Sequence, residues 1–500
     1  MLMKFSTTAL LVALGALLVV AQDLPSTFPH DYPGKPRGDF SPAYQSYFEV
    51  KKPLPNVTFN AGRSFAGNIP VQRAGHPNDT LFFWAFEKQR GSLTAAANQR
   101  SNEPWGIWLN GGPGTSSMYG ALFENGPIRV NSDYSISSNN FSWNKVADYF
   151  WIDQPVGTGF STAAQQGYAA DEDQIGRDFL GFLANLVKVF PSLATRPLHL
   201  TGESYAGVYI PYILKTYFSM ANPPVKIAKI VIGNGAIAEE QVFELLPALS
   251  VIETFPQIIG YDLDVYKFFK EQDHLCNYDI NLTYPQQGLI TSLPVVQPED
   301  REIPFLSRLH RQSRLSKRNF VREVARRYAE RGLSETSIAK RDREVSRAAW
   351  KRDLAGRSNG TVDSWYGCFL LDEFMDYAVN FTFPWTLSQK NPGLGFGIYN
   401  VPDALSPQAN TDASVFLNDP RTRAALHAPT SKDWAQDFEF PLGELTFDPS
   451  KFMNSKIQFS STKCVDFVAF DRPRTYDVPF GTCNQRHCAR YTRCPILRQQ

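Results

Sequence analysis

Pro197-Leu198-His199-Leu200-Thr201 runs directly into Gly202-Glu203-Ser204-Tyr205-Ala206-Gly207, and the reading of this stretch decides the fold. A short apolar run followed by a serine among small residues predicts a strand that bends sharply into a helix. Glycine relieves crowding at such a bend and leaves the serine hydroxyl standing above the edge of a sheet. The pattern G-x-S-x-G is met imperfectly, with Ala206 where the second glycine is expected and Gly207 one position later. By itself such a hexapeptide is more often an ordinary Gly/Ser turn than an active site, so the surrounding sequence has to arbitrate.

Leu81–Phe86, Gly106–Leu109 and Ala147–Ile152 are short apolar runs bounded by turn residues, which predicts buried strands. Between them and the serine, Asp173–Val189 carries Ile175, Phe179, Phe182, Leu183, Leu186 and Val189 at a helical period. A further helix is expected to begin near Tyr205, and Val225–Ile232 reads as another strand, closed by Gly233-Asn234-Gly235. Strands alternating with helices predict an α/β fold with a mostly parallel sheet and helices on both faces. After Gly235 the alternation stops, and it resumes only on the approach to Phe416-Leu417-Asn418-Asp419-Pro420.

Three blocks precede the serine. They are Trp105-Gly106-Ile107-Trp108-Leu109-Asn110-Gly111-Gly112-Pro113-Gly114-Thr115-Ser116-Ser117 with Glu124-Asn125-Gly126-Pro127, then Trp143-Asn144-Lys145, then Phe150-Trp151-Ile152-Asp153-Gln154-Pro155-Val156-Gly157-Thr158-Gly159-Phe160-Ser161. In this order and spacing they resemble the serine carboxypeptidases of the α/β-hydrolase fold, from about Phe65 to about Ser431. The resemblance implies a cap insertion over 236–405, between a first part of the core at 22–235 and a return to it at 406–455. Residues 456–500 are left as a divergent tail.

An unassisted serine hydroxyl is a weak nucleophile and needs a base and an anion-stabilising pocket. The resemblance makes Ser204 the nucleophile and gives the oxyanion hole to the backbone N–H groups of Gly112 and Tyr205. Read without it, Asn110–Gly114 is a plain tight turn or a phosphate-cradling loop, though no lysine follows the glycines as in a P-loop. By resemblance the substrate's free carboxylate is held by Asn110, Gly111, Glu124 and Glu203, with Trp108 lining the site. Two neighbouring carboxyl groups do not both ionise cheaply, so one keeps a proton and donates it in a hydrogen bond. Acidic pH should therefore favour activity. The substrate expected is a peptide or protein carboxyl terminus, with no cofactor and no metal. Thr115 stands where many relatives have a cysteine, which predicts a somewhat looser loop.

In this fold the nucleophile is followed in the chain by an Asp and then a His. Seventy-three residues follow His427, and from about Lys456 nothing resembles the family. The general base is therefore unassigned. His487 is the one histidine after His427, and Asp466, Asp471 and Asp477 are the nearest acids upstream of it. His427 falls, by resemblance, away from the catalytic centre. The expectation is a sheet lacking its last strands, from a truncated or divergent carboxyl end, with an unpaired strand edge and uncertain turnover. Rival readings are an esterase or acyltransferase on the same scaffold, and a non-catalytic binding homologue.

Five hundred residues at 43% hydrophobic and 13% aromatic, with a net charge of +1, describe a globular chain with a large core. Nothing in that balance points to nucleic acid. Residues 1–21 read as a secretory signal, with Lys4, an apolar run from Ala9 to Val20 and a small-residue cleavage site at Ala21. No later segment is long and apolar enough to span a membrane. Six N-x-S/T sequons, at Asn56, Asn78, Asn140, Asn281, Asn359 and Asn380, agree with a secreted or vacuolar destination.

Six cysteines in that setting favour disulfides, and Cys276 and Cys368 are candidate partners. Cys464, Cys483, Cys488 and Cys494 lie in the tail with His487, at spacings unusual for zinc. Residues 301–357 hold seventeen Lys/Arg against seven Asp/Glu, with dibasic pairs at Lys317-Arg318, Arg326-Arg327, Lys340-Arg341 and Lys351-Arg352. Three readings stay open: a segment excised by a processing protease, a solvated amphipathic helix around Phe320–Tyr328, and a nucleic-acid-binding arm.

Overall fold

A computed structural model describes residues 24–237, 245–280, 337–356, 360–386, 412–440 and 466–470, apart from single positions within these ranges. A seven-stranded sheet runs in the order β1 (Ser64–Pro70), β2 (Thr80–Phe86), β6 (Asp148–Asp153), β3 (Trp105–Leu109), β7 (Pro197–Glu203), β8 (Lys226–Gly233), β9 (Asp466–Phe470). The pairs β1–β2 and β2–β6 are antiparallel; the remaining pairs are parallel. A separate hairpin joins β4 (Ile128–Val130) to β5 (Ile136–Ser138).

Side chains alternate across a strand, so each apolar run feeds two cores. Leu81, Phe83 and Ala85 of β2 join one core with Ile107, Leu109, Phe150, Ile152 and Leu200. Phe82, Trp84 and Phe86 join the other with Trp108, Tyr149 and Trp151. With both faces covered, β2 reads in sequence as an unbroken hydrophobic run. On the first face lie α1 (Tyr44–Phe48), α2 (Glu172–Val189) and α3 (Ala206–Ser219). Asp171 starts α2 by accepting from Gln174 N at 2.7 Å, with Glu172 and Asp173 favouring the positive helix start. Pro191 follows its end, and the periodic apolar residues of α2 all enter the core.

The second face is covered by Met118 and Leu122, then by Phe416, Leu417, Leu426 and Trp434. Here α8 (Pro420–Leu426) is capped by Asp419, with proline in its first turn, and it ends at His427 in the left-handed conformation. The His427 ring packs against Tyr32 and Tyr47, with centroids 5.5 and 5.0 Å away. Burial pushes its imidazole down to about 4, so it stays neutral and serves packing.

A further core belongs to the helices α4 (Ala248–Thr254), α5 (Leu263–Leu275), α6 (Ser337–Gly356) and α7 (Leu370–Phe381). Cys276, after α5, is bonded to Cys368, before α7. The basic stretch is here in part: Arg347 and Lys351 of α6 reach Asp262 at 2.5 and 3.1 Å, and Lys351 reaches Asp264 at 2.6 Å. Trp350 packs on Tyr377 and Phe381. Residues 337–352 are therefore a docked helix and not a free arm, because acids and aromatics of the neighbouring helices receive them. The helical period at 320–328 and the pairs Lys317-Arg318 and Arg326-Arg327 lie outside the described residues, as do the signal at 1–21 and the tail cysteines.

One expectation is revised. A sheet lacking its last strands was expected, yet Asp466–Phe470 extends it beyond β8, with Lys229 opposite Asp466 and Gly233 opposite Phe470. Asp-Phe-Val-Ala-Phe alternates poorly, which hid it in the sequence; a parallel strand has no need to alternate.

Candidate active site

Strands β6, β3 and β7 are neighbours, and the chain passes from β3 to β6 on one side before returning to β7 on the other. The crevice beyond the carboxyl ends of such strands is where open α/β sheets place ligands. Asn110–Ser117 leaves β3 there, and Ser204 follows β7.

Ser204 is half-buried and carries φ of +56°, a left-handed conformation that a serine adopts only when its surroundings impose it. The surroundings are backbone: Ser204 N donates to Gly233 O at 3.1 Å, and Ser204 O accepts from Gly207 N and Ala236 N at 2.9 and 3.0 Å. The shifted glycine of the motif has a steric reason. A Cβ on Gly202 would lie 2.6 Å from the Ala206 methyl, and one on Gly207 would lie 2.7 Å from Ala236 N. The bare positions are needed where the turn after β8 crosses the helix start, which is at 207; the side chain of Ala206 is tolerated because Gly202 has none.

The glycine loop presses against this elbow. A Cβ on Gly111 would sit 2.3 Å from Tyr205 N and 2.8 Å from Ser204 Cβ, so only glycine allows the approach. Gly112, with φ of +111°, is exposed beside it. Asn110 is buried at 2% exposure and organises the carboxyl side of the cleft. Its Nδ2 donates to Glu203 Oε1 at 2.9 Å, and its Oδ1 accepts from Trp108 Nε1 at 2.9 Å and from Gly120 N at 3.1 Å.

The bond to Gly120 pins the start of a wide helical turn, Gly120–Glu124, which delivers Glu124. Arg129 secures the end of that turn by donating to the carbonyls of Phe123 and Glu124. No described N–H or O–H group reaches the buried Glu124 Oε2. Burial pushes the Glu124 carboxyl well above the usual carboxylate range; charge repulsion from Glu203 and a hydrogen bond with it push the same way. The structure thus brings together Trp108, Asn110, Gly111, Gly112, Glu124, Glu203, Ser204 and Tyr205. His487 lies outside the described residues. Asp466 opens β9 at the opposite end of the strand from the Ser204 edge.

Several neighbours of the site were not singled out from the sequence. Ser117 Oγ accepts from Asn110 N at 3.0 Å. Tyr209 is fully buried, meets the Tyr205 ring edge to face at 5.1 Å, and accepts from Gly114 N at 3.2 Å. Its spacing of four from Tyr205 on a helix was the available signal. Tyr205 OH donates to Glu172 Oε1 at 2.6 Å. Thr115 was expected to leave its loop somewhat looser; its Oγ1 donates to Asp437 Oδ1 at 2.8 Å, and backbone bonds fasten both flanking residues. Among the described residues no group of His, Cys, Asp and Glu side chains is arranged to hold a metal, and no helix is long and apolar enough to cross a membrane.

Residues 55–258 match the model of the serine carboxypeptidase family. Over 263 residues the chain is 30% identical to a probable serine carboxypeptidase of Arthroderma benhamiae, covering 49% of this chain and 47% of that one. It is 40% identical over 174 residues to the pheromone-processing carboxypeptidase KEX1 of Ogataea parapolymorpha, covering 34% and 28%. It is 39% identical over 176 residues to the venom serine carboxypeptidase of Apis mellifera, covering 34% and 36%. The chain thus spans less than half the length of these relatives. Among solved structures, a prohormone-processing carboxypeptidase of Saccharomyces cerevisiae superimposes with a TM-score of 0.43 at 22% identity, over 79% of this chain and 71% of that one.

Proposed function

We propose, for a chain whose residues 55–258 match the model of the serine carboxypeptidase family, that it releases residues from the carboxyl end of peptides through an acyl-enzyme at Ser204. Ser204 Oγ would attack the last peptide carbonyl, and the N–H groups of Tyr205 and Gly112 would stabilise the oxyanion. The terminal carboxylate would sit among Asn110, Gly111, Glu124 and Glu203, beside Trp108. One observation carries the reading: an enclosed carboxyl, Glu124, with its pKa raised, beside a second carboxyl on the residue before the elbow serine. A protonated acid there donates a hydrogen bond to an anion that an ionised one would repel.

The base is sought in the tail. Phe470 is level with Gly233, which is level with Glu203, and Asp471 follows next in the sequence. This makes Asp471 the acid to test, with His487 the histidine to test beside it. The setting proposed is the secretory pathway, secreted or vacuolar, as the amino-terminal apolar run supports.

A serine-reactive phosphonate should label Ser204 and spare Ser204→Ala. A blocked dipeptide with a free carboxylate should be cleaved in preference to its amide. Equal cleavage of both would favour an esterase or acyltransferase. Binding of the dipeptide without labelling of Ser204 would favour a non-catalytic homologue.

A further inference from the structure

Segment Lys432–Phe438 runs against the glycine loop and grips it at successive residues. Ser116 N donates to Gln436 O at 2.8 Å and Phe438 N donates to Gly114 O at 3.0 Å, an antiparallel bridge with Thr115 opposite Asp437. Thr115 Oγ1 donates to Asp437 Oδ1 across it. Trp434 is buried, and its Nε1 donates to Ser116 Oγ at 2.9 Å; that hydroxyl in turn donates to Asp153 Oδ1 at 2.6 Å. Lys432 Nζ donates to Gly157 O, fastening the start of the segment to the loop after β6.

The contact is backbone on backbone. A Cβ on Gly114 would lie 2.2 Å from Phe438 O, so no side chain could stand between them. Gly114 is thereby held by its carbonyl from Phe438 and by its N–H from Tyr209. A loop with glycine at 111, 112 and 114 is otherwise soft, since glycine loses the most backbone freedom on ordering. An oxyanion hole tolerates an error of only about half an ångström in its donors.

We propose that Lys432–Phe438 is a clamp that holds the N–H of Gly112 in register with that of Tyr205, with Trp434 and Asp437 as its positioning residues. It rests on the reading of Ser204 as a nucleophile. Neither residue touches the reacting atoms; both act through Ser116 and Thr115. The Thr115–Asp437 pair holds the loop without a covalent tie.

Trp434→Phe and Asp437→Ala should each lower kcat and the rate of phosphonate labelling about three- to tenfold, the worth of one hydrogen bond, with KM changed less than about twofold. Opposed residues of an antiparallel bridge have Cα atoms about 4.5–5.5 Å apart, within disulfide range. Thr115→Cys with Asp437→Cys should therefore restore turnover when oxidised and lose it again on reduction. Unchanged labelling in both single variants, beside a wild type that labels, overturns the clamp. A wild type that does not label defeats the Ser204 reading instead. Amide exchange at Gly112–Ser116 then decides the clamp: faster exchange in Asp437→Ala upholds it, and unchanged exchange removes it.

Discussion

At Glu124 the local environment sets a pH dependence whose sign follows from burial. Its folded-state pKa is raised, so the native protein holds a proton that the unfolded chain has released. That contribution to stability is fully present below the unfolded value and is lost as pH rises through the folded one. The proposed carboxylate-binding role would run the same way, because only the protonated form donates. KM for free-carboxylate peptides should rise with pH as Glu124 ionises, while Glu124→Gln, permanently neutral, should flatten both the KM profile and the stability profile. A Gln variant that keeps the wild-type pH dependence of KM would assign the titration elsewhere. At Ser204 the strained backbone depends on the bare position at 207. Gly207→Ala should cost about 1–3 kcal/mol of stability, the range for a strained or overpacked site, and should slow labelling of Ser204; denaturation midpoints and labelling rates check both.

Between elements, one buried ion pair ties the amino ends of the central strands. Arg196, just before β7, reaches Asp148 of β6 at 2.7 Å, and both side chains are 1% exposed. Its Nε also donates to Glu103 O ahead of β3 at 2.9 Å, so one guanidinium spans three adjacent strands. Removing one member leaves a buried charge without its partner. Arg196→Leu should cost about 3–5 kcal/mol, and replacing both residues by leucine should cost less than the single change. Urea denaturation of the two variants beside the unchanged protein is the measurement. A double variant less stable than Arg196→Leu would mean that the pair itself, and not the orphaned carboxylate, carries the stability. This end of the sheet lies opposite Ser204, so the substitution should lower stability without altering KM.

For the molecule as a whole, the helices α4–α7 form a core of their own, closed by Cys276–Cys368 and by the docking of α6. This limits where a processing protease can act. Lys340 and Arg341 are exposed in the first turns of α6, whereas Lys351 is engaged by Asp262 and Asp264. Proteases cut where the backbone opens locally. Limited trypsin digestion should therefore cut after Lys340 or Arg341 well before Lys351. The products should stay together on a non-reducing gel and separate on reduction, because the cut falls between Cys276 and Cys368. Early cleavage after Lys351 would show that α6 does not hold its place. Asn56, Asn78 and Asn140 are exposed sequons, and a glycosidase-sensitive mass would place the chain in the secretory pathway.

What the sequence alone determined was everything with a local physical cause. Apolar runs named β2, β3, β6, β7 and β8, the 3.6-residue period named α2, and small residues around Ser204 named the elbow. The carboxyl pair was legible from Glu203 and Glu124 only through a resemblance, since nothing local announces that residues so far apart in sequence lie side by side. Tertiary structure alone decided the rest, because each remaining contact joins segments that neither period nor motif connects. Asp466–Phe470 becomes a strand only by finding the edge of β8. Asp437 grips Thr115 across more than three hundred residues. The glycine of the elbow is required at 207 only because the turn after β8 crosses the chain there. Local sequence chooses the element, whereas the cost of burying charge and backbone without partners chooses which elements meet.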